Sequence, residues 1–120
     1  MDFLVIIKTD WVLPTSEFKS QLLARWPTAH TRDIEDISRP AVLDFELSME
    51  KSVLFGTFYR KGQSASFSGD LADCAAFALW FRQLIPSGEE IIFCDEMVNM
   101  SLELSLETTP ADIASAVLAS

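Results

Sequence analysis

The sequence predicts an α+β domain, a mainly antiparallel sheet of about six strands with two or three helices packed on it. Three observations carry that expectation. A nearly unbroken apolar run opens the chain, three strand-like segments joined by tight turns occupy the middle, and capped helix starts fall at Asp70 and Thr109. The expected order is β-α-β-β-β-α-β-β-α. Residues 1–120 are expected to form a single domain, as the size prior for domains suggests.

Asp2–Thr9 is β-rich and almost continuously apolar, which fits a central strand buried on both faces. Pro14-Thr15-Ser16-Glu17 is a helix start with a hydroxyl cap. Phe18, Leu22 and Trp26 then recur at i, i+4 and i+8, one face of a helix running to Arg25 and stopped by Pro27. The polar stretch His30–Pro40 reads as a loop, with Ile34 and Ile37 pinning it to the core. Val42–Met49 alternates, Leu43, Phe45 and Leu47 against Asp44, Glu46 and Ser48, as a half-buried strand does. Turns at Glu50-Lys51 and Lys61-Gly62 separate it from Val53–Tyr59 and Ser64–Ser68, giving a meander. Gly56 marks a bulge or a close contact.

Asp70 caps a second helix, Leu71–Leu84, with Asp73 in its first turn. That helix is apolar nearly all round: Leu71, Cys74, Ala75, Ala78, Phe81 and Ile85 share one face, and Phe77, Trp80 and Leu84 another. It is covered on both sides or offers Trp80 to a partner. Glu90–Cys94 and Asn99–Leu106 are the last strands. In the latter Met100, Leu102, Leu104 and Leu106 point inward, and Glu103 and Glu107 share the exposed face. Thr109-Pro110-Ala111-Asp112 starts a closing helix with a hydroxyl cap, proline at the first helical position and an acid two residues on.

The charge is unevenly placed. The chain carries 18 acidic and 9 basic residues, a net charge of -9, and no Lys or Arg lies between Gln83 and Ser120. Seven acids do: Glu89, Glu90, Asp95, Glu96, Glu103, Glu107 and Asp112. A one-signed field favours cationic partners and repels nucleic acid and anionic lipid. Hydrophobic content of 49 % supports a real core. No stretch reaches the roughly 18 apolar residues of a bilayer span. No cationic segment precedes the short apolar run at the start, so a cytoplasmic product is expected.

Catalytic signatures are missing from the sequence. His30, the single histidine, lies in the polar stretch, and Cys74 and Cys94 sit in apolar runs as buried free thiols. No zinc spacing, phosphate-cradling glycine loop or EF-hand occurs, so neither metal nor cofactor is expected. Glu89/Glu90 and Asp95/Glu96 could serve as an acid and base pair, but adjacent residues usually point apart. Trp26 reads as core, Trp11 as a possible loop anchor, and Trp80 as the best candidate for a binding hot spot.

One resemblance bears on function. Leu54–Tyr59, the run Gly69-Asp70-Leu71-Ala72-Asp73-Cys74-Ala75-Ala76-Phe77-Ala78-Leu79-Trp80-Phe81-Arg82, then Pro86, Ile91–Glu96 and Thr108-Thr109-Pro110 together resemble small immunity proteins of bacterial polymorphic-toxin and contact-dependent growth inhibition systems. The resemblance implies a cytoplasmic protein, without catalysis of its own, that binds a cognate toxin domain directly and blocks it. A nuclease with a cationic groove would suit an acidic inhibitor. Asp95, Glu96, Glu103 and Glu107 are the expected surface contacts, with Glu89, Glu90 and Trp80 behind them. The alternatives are an interaction module, adaptor or homodimer, using the second helix, and an acidic-site hydrolase.

Overall fold

The first strand, β1 (Asp2–Ile7), is the hinge of the topology. It pairs on one side with β5 and on the other with β6, although both come much later in the chain. The computed structural model describes residues 2–119. Along the chain β1 is followed by α1 (Thr15–Arg25), β2 (His30–Asp33), β3 (Ala41–Ser48), β4 (Val53–Tyr59) and β5 (Ser64–Ser68). Then come α2 (Leu71–Gln83), β6 (Ile91–Asp95), β7 (Ser101–Leu104) and α3 (Pro110–Leu118). The seven strands form one sheet in the order β2-β3-β4-β5-β1-β6-β7, with every neighbouring pair antiparallel. The α+β class and the order of elements are as the sequence predicts, with one strand more.

That extra strand is β2. Its sequence, His-Thr-Arg-Asp, has no apolar alternation because it is an edge strand with little to bury, so it reads as loop. Pairing and charge hold it: His30 lies opposite Glu46 and Arg32 opposite Asp44. An Arg32–Asp44 ion pair (2.6 Å) and an exposed Lys19–Asp33 pair (3.4 Å) tie it to β3 and α1. The loop after it is pinned by Ile34 alone, and Ile37 is exposed. Arg60 does the rest of that work, donating hydrogen bonds to the carbonyls of Ile34, Asp36, Arg39 and Ala41.

All three helices pack on one face of the sheet. Phe3, Val5 and Ile7 of β1, Leu43, Phe45 and Leu47 of β3, and Ile91 and Phe93 of β6 meet Phe18, Leu22 and Trp26 of the first helix region, Phe77 and Phe81 of α2, and Ile113 and Val117 of α3. Aromatic rings dominate: Phe18 stacks on Phe58 at 4.2 Å, and Phe77 contacts Phe45, Phe67 and Trp26. Burying such rings is the main stabilising term of a domain this size. β1 is therefore buried on one side only; Leu4 and Ile6, on the other, are half-buried. At Gly56 the structure shows a close contact and no bulge, because the Phe45 ring fills the space a Cβ would take. The register shift lies instead in β3, between Ala41 and Leu43.

The caps divide. Asp70 accepts from the Ala72 N–H, and Thr109 and Asp112 form a reciprocal capping box. The expected hydroxyl cap of α1 is absent: Pro14 occupies the N-cap position and no side chain accepts there. Asp73 is buried in α2, where its carboxylate accepts from the Lys51 N–H and the Ser52 hydroxyl and so anchors the β3–β4 turn. Arg82 is buried too. It donates to the carbonyls of Leu104, Ile85, Pro86 and Ser87, gathering the end of α2, the following loop and β7.

Candidate partner-binding face

The face of the sheet away from the helices carries no covering element among the described residues. Alternation sends to it Asp44 and Glu46 from β3, Phe55, Thr57 and Tyr59 from β4, and Ser64, Ser66 and Ser68 from β5. The small serines of β5 form the floor of a trough whose walls are the longer side chains on either side. Tyr59 crosses it, its hydroxyl 2.9 Å from that of Ser66, and divides the trough into two hollows.

The first hollow encloses about 650 Å³ and is lined by four carboxylates, Asp2, Asp44, Glu46 and Glu96, against Arg32 and His30. Burial works to raise the Asp44 carboxyl, but hydrogen bonds from Arg32 and Thr57 outweigh it and hold the group below its ordinary value. At its edge Phe55 is 57 % exposed, a large ring left in water at the Ser68 end of the trough. The second hollow, about 630 Å³, lies at the other end of β5 and presents Arg39, Arg60 and Lys61 around Ile6, Tyr59 and Ile37. No carboxylate lines it; Asp36, in the adjoining loop, is turned back onto Ser38, whose hydrogen bonds lower its carboxyl.

The acids singled out from the sequence do not form one patch. Glu96 is exposed and lines the first hollow, and Glu103 points from β7 to the same face of the sheet. Glu89 and Glu90 lie at the opposite end of β6, where Glu89 accepts a hydrogen bond from the Thr9 hydroxyl. Asp95 is occupied with structure: its carboxylate accepts the Asn99 and Met100 N–H groups and its carbonyl the Val98 N–H, which shapes the β6–β7 turn. Met97 and Val98 are exposed at that tip, with Val98 at φ 54°. Glu107 does not share a strand face with Glu103, because β7 ends at Leu104. The Thr108 hydroxyl accepts the Ser105 N–H and the Ser105 hydroxyl accepts the Glu107 N–H, drawing the chain into a turn. Leu106, expected inward, is consequently 60 % exposed.

Trp80 is on the helix side, half-buried, edge-on to Trp26 at 5.0 Å and to Phe18 at 5.9 Å. Phe55, Asp2, Asp44 and Glu46 were not singled out from the sequence. The signal for Asp44, Glu46 and Phe55 was their outward phase in alternating strands, which marks a second face without saying whether anything covers it.

Among the described residues no group of three or more His, Cys, Asp or Glu is placed to hold a metal ion, and no helix is long and apolar enough to cross a membrane. Cys74 and Cys94 are buried free thiols; burial pushes the Cys74 thiol up to about 12 and raises that of Cys94. No family model, curated protein or solved structure matches the chain.

Proposed function

We propose that the protein is a bacterial immunity protein that captures and blocks a cognate toxin domain through the open face of its sheet, acting by binding and not by catalysis. The supporting observation is the open face itself: an uncovered trough with four carboxylates and an exposed phenylalanine at one end. A rim of charge accelerates encounter, and an aromatic ring that loses its water on docking supplies affinity. The resemblance to immunity proteins gives the class of partner, and a cytoplasmic site of action goes with it. A nuclease domain with a cationic surface suits the acidic hollow.

The test is co-expression with candidate toxin domains, with growth rescue and isolation of an equimolar complex as readouts. Phe55→Arg is expected to weaken capture about thirtyfold or more, the effect of a 2 kcal/mol hot spot. Trp80→Phe and Glu107→Lys are expected to leave it intact. Full rescue by a folded Phe55→Arg/Glu46→Lys protein rules out the open face. The rival in which α2 is the interface is disfavoured by Trp80, whose ring is already engaged with Trp26 and Phe18.

A further inference from the structure

We infer that the trough along β5 takes one convex, rod-shaped element of a partner protein, an α-helix, with basic residues at one end and acidic residues at the other. The inference rests on the capture reading for its choice of face and adds the shape and charge order of what is captured.

The charge order follows from the two hollows. Ser68 lies beside Asp2 and Phe55 in the register, at the carboxylate end, and Ser64 beside Ile6, at the end that carries Arg39 and Lys61. Ser64 and Ser68 are roughly 13 Å apart along the strand, more than a Debye length at physiological salt. Arg39 still reaches Asp44 electrostatically, so the opposite charges stand clearest apart between Arg60 and Lys61 at one end and Glu46 and Glu96 at the other. Arg60 adds to the cationic end, its guanidinium held by carbonyls with no carboxylate partner in an ion pair among the described residues. A uniformly basic ligand is repelled at that end, so a nuclease partner meets the carboxylate hollow with its basic surface and this end with acidic residues.

The shape follows from the floor. Ser64, Ser66, Ser68 and Thr57 are short side chains between longer ones, so the surface is a channel, with Tyr59 laid down onto Ser66 across its floor between the two hollows. Two copies of a concave face leave a void between them and bring two net charges of -9 together, which argues against a second copy as occupant. A helix is about 10 Å across with its side chains, close to the spacing of roughly 10 Å between β4 and β1 on either side of β5, and can lie along that strand.

The probes are two stapled alanine-based helices of about 18 residues, roughly 27 Å long, with identical composition. One has glutamates in its N-terminal half and lysines in its C-terminal half, and the other has them interleaved. The segregated helix is expected to bind about tenfold more tightly at low salt. Glu46→Lys/Glu96→Lys, or Arg39→Glu/Lys61→Glu, should remove that preference. All four changes together should restore it, because the probe then turns end for end. Amide shifts should move at Ser64, Ser66 and Ser68 and not in α2. Equal binding of the two probes, a four-fold variant that fails to recover while its thermal melt is unchanged, or a dimer of the chain in sedimentation overturns the inference. Loss of toxin capture by Phe55→Arg with equal probe binding leaves capture standing and removes the charge order. Retained capture with a strong probe preference does the reverse.

Discussion

The ring of Phe45 lies directly over the Cα of Gly56 on the neighbouring strand, in the place where any other residue would put its Cβ. Phe45 cannot swing away, because Phe77 stacks on it at 5.4 Å and Phe18 meets it at 5.5 Å. Gly56→Ala is therefore expected to destabilise the domain by about 1–3 kcal/mol, the usual effect of overpacking. Phe45→Leu in the same chain should recover part of the loss. A double-mutant cycle on urea midpoints checks this, and additive effects would contradict it.

Arg82 holds four backbone carbonyls at the junction of α2, the Ile85–Ser87 loop and β7. Arg82→Met keeps the apolar stem and removes every donor. The expected loss is about 2–4 kcal/mol, since buried carbonyls without partners are costly. Arg82→Lys should recover little, because one ammonium cannot span the same set. Faster amide exchange in β7 and at the end of α2 is the local signature.

Val98 sits at φ 54° in the β6–β7 turn, a left-handed conformation that a β-branched residue adopts only under constraint. The Asp95 carboxylate and carbonyl supply that constraint. Val98→Gly is expected to stabilise the protein by about 1 kcal/mol, and Asp95→Ala to destabilise it by a similar amount. Opposite shifts in thermal midpoint confirm the pair, and a destabilised Val98→Gly refutes it.

The two thiols give a pH prediction. Burial raises the folded-state pKa of Cys74 to about 12, above the ordinary value for an unfolded thiol. A raised acid is protonated longer in the folded state, so its contribution to stability is fully present below the unfolded value of about 8.5. It is lost as pH climbs toward 12. Stability should fall across that alkaline window, less steeply in Cys74→Ala. Thiol reagents at neutral pH should label Cys74 and Cys94 only after denaturant is added.

What the sequence made legible was local. The Asp70 cap, the Thr109–Asp112 box, the Phe18–Leu22–Trp26 stripe and the alternation of β3 each depend on residues a few positions apart, and each stands in the fold. β2 escaped because an edge strand of four polar residues carries no period. The placing of Glu89 and Glu90 at one end of a short buried strand and Asp95 and Glu96 at the other was legible too, and β6 lies between them. The shared face of Glu103 and Glu107 was not, because the turn at Ser105–Thr108 removes Glu107 from the register of Glu103. The open face depended on a tertiary fact, that all three helices go to the same side, and no local pattern encodes that.

The two rims of the sheet have a consequence for how the chain behaves when crowded. β2 and β7 are each four residues long, and they carry His30, Arg32 and Asp33 on one rim and Glu103 on the other. Short, charged rims resist the addition of further strands, which is how sheet proteins avoid growing into fibrils. A molecule with a broad uncovered face can therefore accumulate at high concentration without templating its own aggregation.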